Sequence, residues 1–241
     1  MTSPVLNGEL DKYYEKIYKA QDKVLKVLFQ KGYSHNFYLT GGTALNRFYY
    51  PVRYSEDLDF FSNENHLFRE DIRLVIELFE KFNLPFVKEI DSRDFVRLVF
   101  FPEDEKLKAD FVNDRVYRYG TSCYINNFRI DNIINILTNK ICAIVSRDEP
   151  KDVVDLLTIC VNEDFIWDEV ISIAQKKENF EKFFLIERLK SFPLELFDTC
   201  SFIKKETKEV YRKIFPNLIE NLIKGERNFL KQIFSEISTN V

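Results

Sequence analysis

The chain has 241 residues, 45% hydrophobic and 31% charged, with 24 Phe and a net charge of −4. A chain of this length builds one large domain or two small ones and buries about 70–75% of its unfolded surface. The well-mixed charges exclude a polybasic tail, so any nucleic-acid contact must come from a local patch. His35 and His66 are the only histidines, and Cys123, Cys142, Cys160 and Cys200 form no C-x-x-C pair. This argues against a zinc site or disulfide frame and for a reducing compartment. No leader pattern and no 18-residue apolar run occurs, so the expected location is cytoplasmic, with no membrane partner.

Leu10 to Lys31 reads as an amphipathic helix, with Tyr14, Ile17, Gln21, Val24, Leu25 and Leu28 near helical spacing and Gly32 as the stop. A short strand, Phe37–Leu39, runs into Gly41-Gly42, and a helix follows from Thr43 to Tyr50, broken by Pro51. The next strand carries Asp57-Leu58-Asp59. A helix over Leu67–Phe82, strands over Phe86–Ile90, Phe95–Phe101 and Lys108–Val112, and a further strand over Tyr124–Phe128 complete this half. From Asp131, a candidate N-cap, the pattern turns helical: Asp131–Arg147, Pro150–Val161, Trp167–Lys177, Phe180–Lys190, Glu195–Phe215 and Pro216–Ile237. The expected class is α/β (α+β), a mixed sheet flanked by helices over 1–130 and a helical bundle over 131–241.

Strand alternation puts Asp57 and Asp59 on one face, about 6.6 Å apart along the strand, with Leu58 and Phe60 turned into a core. Spacing alone means little: 39 acids give about 6 acid-x-acid pairs by chance. The plain alternative is an edge strand with its wet face outward. Three features weigh against it. The pair is anchored by Leu58, Phe60 and Phe61, a double glycine lies upstream where backbone N–H groups can approach a phosphate, and Asp110 sits in another apolar strand. Three converging carboxylates repel one another unless a cation joins them, and hard oxygen donors select Mg²⁺ or Mn²⁺.

Gly41-Gly42-Thr43-Ala44-Leu45, then Arg53, Ser55, Asp57, Leu58, Asp59 and Phe60, then a later strand with Asp110, resemble the polymerase-β-like nucleotidyltransferase fold. More narrowly, they resemble the AbiEii/AbiGii-type toxin nucleotidyltransferases, over about Phe37–Val161. The resemblance implies a metal-dependent enzyme that moves an NMP from an NTP to an acceptor hydroxyl. RNA, at the 3′ end of tRNA, is the first acceptor and a protein hydroxyl the second; a nucleotide- or partner-binding module without turnover is the reading from another class. It also implies a cognate antitoxin as partner. Asp57, Asp59 and Asp110 would hold the metal, and Gly41, Gly42, Thr43, Arg53 and Ser55 would meet the nucleotide. Arg53 and Ser55 also have plain readings, a surface arginine and a turn hydroxyl.

The helix from Asp131 carries an anomaly of its own. Lys140 and Arg147 fall inside the apolar stripe formed by Ile133, Ile136, Leu137 and Ile144. A lysine there snorkels, forms a structural ion pair or meets a bound anion. The family pattern favours nucleotide contact for Lys140, in the K-x-x-A context ending at Ala143, with Arg147 and Asp152 beside it. Lys151 stands where the family commonly has arginine, which removes the arginine fork from that position. Asp152 and Asp155 would otherwise serve the N-terminal turn of the next helix.

Overall fold

The structure is a computed structural model that describes residues 9–30, 35–101 and 105–238. The predicted stop at Gly32 lies outside those residues. Two compact units form, Met1–Thr43, Ser55–Arg115 and Ser122–Ile130 in the first, and Ala44–Tyr54, Val116–Thr121 and Asp131–Val241 in the second. Two stretches before residue 130 thus belong with the helical unit. Specific bonds hold them there: the Tyr49 hydroxyl donates to the Asp131 carbonyl at 2.7 Å, and Arg118 pairs with the Asp131 carboxylate at 2.7 Å.

The first unit is built on a seven-stranded mixed sheet. Its elements are α1 (Glu9–Leu28), β1 (Tyr38–Thr40), the first residues of α2 (Gly41–Ala44), β2 (Leu58–Asn63), α3 (Phe68–Lys81), β3 (Phe86–Asp91), β4 (Phe95–Phe100), β5 (Leu107–Asp114), β6 (Cys123–Ile125) and β7 (Phe128–Ile130). The strand order is β3-β4-β5-β2-β1-β7-β6, with β2–β5 and β1–β7 parallel and the other pairs antiparallel. Period-two alternation buries Leu58 and Phe60 of β2 and Ala109 and Phe111 of β5, leaving Asp59 and Asp110 half-buried on the opposite face. On the buried face Phe60 stacks on Phe111 at 5.0 Å, and Phe37 meets Phe111 edge-on at 5.0 Å. The single strand expected over Tyr124–Phe128 is instead the β6–β7 hairpin. Asn126 and Asn127 form its turn with positive φ, the conformation a two-residue primed turn requires and asparagine tolerates.

The second unit is helical: α4 (Ile133–Ser146), α5 (Pro150–Cys160), α6 (Trp167–Gln175), α7 (Lys182–Lys190), a 3₁₀ turn (Leu194–Thr199), α8 (Lys205–Lys224) and α9 (Leu230–Ser238). A π-helical turn over Leu45–Tyr49 continues from α2 into this unit. Asn132, not Asp131, caps α4, its side chain accepting from the Asn135 N–H at 2.8 Å. Asp131 is fully buried and binds Arg118 and Asn135 instead. Pro216 was expected to separate two helices, yet α8 runs through it. Tyr211, Ile214, Phe215, Leu218 and Leu222 are buried on both sides of an exposed Pro216, and their packing outweighs one lost backbone bond. The helix ends more than two turns beyond Pro216, at Gly225, where φ is +73° and a Cβ would overlap the Asp168 carboxylate.

Candidate active site

Strand β1 ends at Thr40, and the chain turns into α2 at Gly41 with φ +71°, a left-handed conformation that strains any residue with a Cβ. A Cβ at Gly41 would also overlap the Asp59 carboxylate. The glycine is therefore fixed twice, by its backbone and by the acid beside it. Thr40 is the register partner of Asp59, Asp59 of Asp110, and Asp110 of Arg97. These four residues make one row across β1, β2, β5 and β4, on the sheet face opposite the Phe60–Phe111 stack. Neighbouring strands are about 4.8 Å apart, so Asp59 and Asp110 stand side by side.

Asp57 lies one residue before β2 and is half-buried. Its loop is fixed from two directions. The buried Thr43 hydroxyl donates to the Asp57 carbonyl and shares a hydrogen bond with the Ser55 hydroxyl at 2.9 Å. From α1, Gln21 Nε2 donates to the carbonyls of Ser55 and Glu56 at 2.9 and 2.7 Å, and the Tyr14 hydroxyl donates to Glu56 at 2.9 Å. Thr43 and Ser55, expected to meet a phosphate, thus hold the backbone that presents Asp57. Gln21 carried a signal in the sequence, a polar residue inside the apolar stripe of α1.

The third carboxylate has a partner that the sequence reading missed. Arg97 Nε lies 2.6 Å from Asp110 Oδ1 and its Nη2 lies 2.8 Å from Oδ2, a bidentate pair. This bond, with the charges of Glu89 and Asp57 adding to it, holds the Arg97 guanidinium above its already high ordinary pKa. Among the described residues no three His, Cys, Asp or Glu side chains stand close enough to hold a metal ion as placed. The three acids were expected to meet around a cation; here Asp110 neutralises itself on Arg97. The donor chemistry still fits a hard divalent ion: Asp57, Asp59 and Asp110 offer carboxylate oxygens only, two of the three from registered neighbouring strands. A period-two alternation places Arg97 on the same face as Phe95 and Val99, the one charged residue in an apolar strand, which was the legible sign of its role.

The second unit contains the remaining predicted residues, joined to one another. Lys140 is buried, and its Nζ lies 2.8 Å from Asp152 and 2.7 Å from Asp155. Arg53, also buried, gives a fork to Asp155, Nε to Oδ1 at 2.8 Å and Nη2 to Oδ2 at 2.7 Å, and Nη1 donates to the Tyr54 carbonyl at 2.8 Å. Arg147 completes the cluster on Asp152 at 2.8 Å, with 54% of its side chain exposed. Burial alone would raise the pKa of Asp155, but the charges of Arg53 and Lys140 outweigh it and hold the carboxyl well below the ordinary range. Asp152 is lowered in the same way, by Lys140 and Arg147 against burial. Lys140 is raised, since Asp155 and Asp152 exceed its own desolvation cost. A phosphate reaching Lys140 or Arg53 would have to displace a buried carboxylate. The structural ion pair is the arrangement these residues display.

The family model for the nucleotidyl transferase AbiEii toxin of type IV toxin–antitoxin systems matches residues 23–230. The chain belongs to this family. Its fold is similar to JHP933 from Helicobacter pylori, at 20% identity and a TM-score of 0.52, covering 98% of this chain and 97% of that one. A candidate nucleotidyltransferase from the same organism gives 20% identity and a TM-score of 0.52 over 95% and 96% of the two chains. MenT4, a nucleotidyltransferase toxin of Mycobacterium tuberculosis, gives 13% identity and a TM-score of 0.49 over 77% and 66%. No curated protein matches in sequence. No helix among the described residues of this AbiEii-family chain is long and apolar enough to cross a membrane.

Proposed function

We propose that this AbiEii-family nucleotidyltransferase moves an NMP from an NTP to a hydroxyl of RNA, at the 3′ end of tRNA, in a reaction dependent on Mg²⁺ or Mn²⁺. The observation that carries the reading is the register of Asp59 with Asp110 on parallel strands, with Gly41 forced against Asp59. A bound divalent ion would supply charge stabilisation to the phosphates and to the attacking oxygen. Asp57 and Asp59 are the residues to hold it, with Asp110 once its carboxylate leaves Arg97.

In the transfer, the acceptor oxygen bonds to the α-phosphorus and the bond from that phosphorus to the bridging oxygen breaks, releasing pyrophosphate. Asp110 takes the proton of the attacking hydroxyl. Gly41 and Gly42, free of side chains, let the backbone approach the triphosphate, and Thr43 fixes the Asp57 loop. Lys140, Arg53 and Asp155 act at a remove, as the charged core of the helical unit. Positioning and charge stabilisation carry this class of reaction, so no covalent intermediate is needed.

Incubating the protein with labelled NTPs, Mg²⁺ and total tRNA or lysate tests the reading. Label in RNA is expected, and Asp57→Ala or Asp59→Ala lowers it by about 10²-fold or more while the melting temperature holds. Label in protein alone would transfer the assignment to protein nucleotidylation, and saturable NTP binding without transfer would make the chain a binding module. An Asp59→Ala variant that labels RNA at the parental rate sinks the site assignment.

A further inference from the structure

The Asp110 carboxylate has both oxygens on Arg97, at 2.6 and 2.8 Å. A guanidinium cannot give up its charge by losing a proton, so it can free Asp110 only by moving. The structure contains a place for it to go. Arg97 Nη1 lies 3.7 Å from Glu89 Oε2, too long for a hydrogen bond yet within reach of a small side-chain shift. Glu89 owes this position to an irregularity. Lys88 is opposite Leu98 and Ile90 opposite Arg97, so two steps along β3 match one step along β4 and Glu89 is the extra residue. Such bulges re-aim a side chain at strand edges. Lys106 Nζ holds the other Glu89 oxygen at 2.8 Å, which keeps that carboxylate in place. Neither Arg97 nor Asp110 is fully buried, their side chains being 27% and 15% exposed, so the exchange requires no opening of the core.

We propose that Arg97 is a positioning residue that holds Asp110 in the cation-free protein and passes to Glu89 when a divalent cation takes Asp110. The inference rests on the cation reading above and adds a competition within it: Arg97 and the cation contend for one carboxylate, and Glu89 on the bulge lowers the cost of Arg97 losing.

The test is a Mn²⁺ titration of the full chain without nucleotide, read by electron paramagnetic resonance. Arg97→Lys keeps the charge but loses the fork, so Mn²⁺ binds more tightly, by about threefold, and Arg97→Met by about tenfold. Glu89→Gln weakens Mn²⁺ binding in the parent. In the Arg97→Met background the same change has no effect, because Glu89 acts through Arg97; a long-range field effect would instead persist in both backgrounds. Arg97→Lys binding like the parent, with Glu89→Gln effects equal in the two backgrounds, overturns the proposal. Asp59→Ala separates the two levels. If the parent takes up Mn²⁺ and this variant does not, the cation site stands and only the Arg97 results decide. If the parent takes up none, or Asp59→Ala binds as well as the parent, the cation reading fails and the exchange fails with it. Melting curves of each variant confirm that the compared proteins are folded.

Discussion

In the helical unit Asp155 is wholly buried and meets Arg53 and Lys140, whereas in the sheet unit Asp59 and Asp110 are register partners, Arg97 pairs with Asp110, and Asp57 lies one residue before the strand. The residue type is the same and the outcome opposite. Around Asp155 and Asp152 three cations surround two anions, each at hydrogen-bonding distance, so the cluster is complete without a ligand. On the sheet Asp110 has its own bidentate partner in Arg97, and the three acids are partly exposed rather than wholly buried. A buried charge that is fully paired is accounted for by its partners, so burial of a charge does not by itself point to a ligand.

The comparison breaks first on Asp155→Ala. Removing it leaves Arg53 and Lys140 buried without one of their partners, a change that costs about 3–5 kcal/mol in such clusters. Asp59→Ala, at a partly exposed position, is expected to shift stability by less than about 1 kcal/mol. Urea unfolding of the two variants checks this, and equal destabilisation would erase the distinction between the units.

Acid provides a second test on the same cluster. Asp155 and Asp152 have folded pKa values below their ordinary 3.8, so the folded state favours their charged forms. Their contribution is complete above the unfolded value, near pH 4, and is lost as pH falls through the folded one. Stability measured from pH 7 downward should fall below about pH 4 more steeply in the parent than in Asp155→Ala. Parallel curves would mean that Asp155 is not held charged.

Gly41→Ala comes next. The left-handed backbone costs about 1–2 kcal/mol for a residue with a Cβ, and the methyl would press on Asp59. Nucleotide transfer should be lost while the melting temperature falls only modestly. Full transfer by this variant would remove Gly41 from the site.

Much of this was legible in the sequence where a single local rule decides. Alternation placed Leu58 and Phe60 inside and Asp59 outside, and Pro150 opened α5 as its fixed φ allows. Lys140 was marked as anomalous by lying within an apolar stripe, and its burial agrees. What could not be read were partners far apart in the chain. Arg53 reaches Asp155 across 102 residues and Gln21 reaches the Asp57 loop across more than 30, and neither pairing leaves a local period. The Arg97–Asp110 pair depends on strand register, which the pattern of β4 and β5 does not specify one residue at a time. Pro216 misled for the converse reason: a strong local rule was overridden by packing along both halves of α8.

The smallest expected effect concerns Arg147, the exposed member of the buried cluster. It shares Asp152 with Lys140, but over half of its side chain faces solvent, where an ion pair contributes about 0–1 kcal/mol. Arg147→Ala should therefore lower stability by no more than about 1 kcal/mol, with the loss shrinking in high salt. Lys140 remains on Asp152 in that variant, so no buried charge is stranded. If Arg147→Ala instead destabilised as much as Asp155→Ala, the cluster would be one indivisible unit, and solvent exposure would no longer separate its members. A loss of nucleotide transfer in Arg147→Ala at unchanged stability would have a different meaning: it would place Arg147 at the nucleotide.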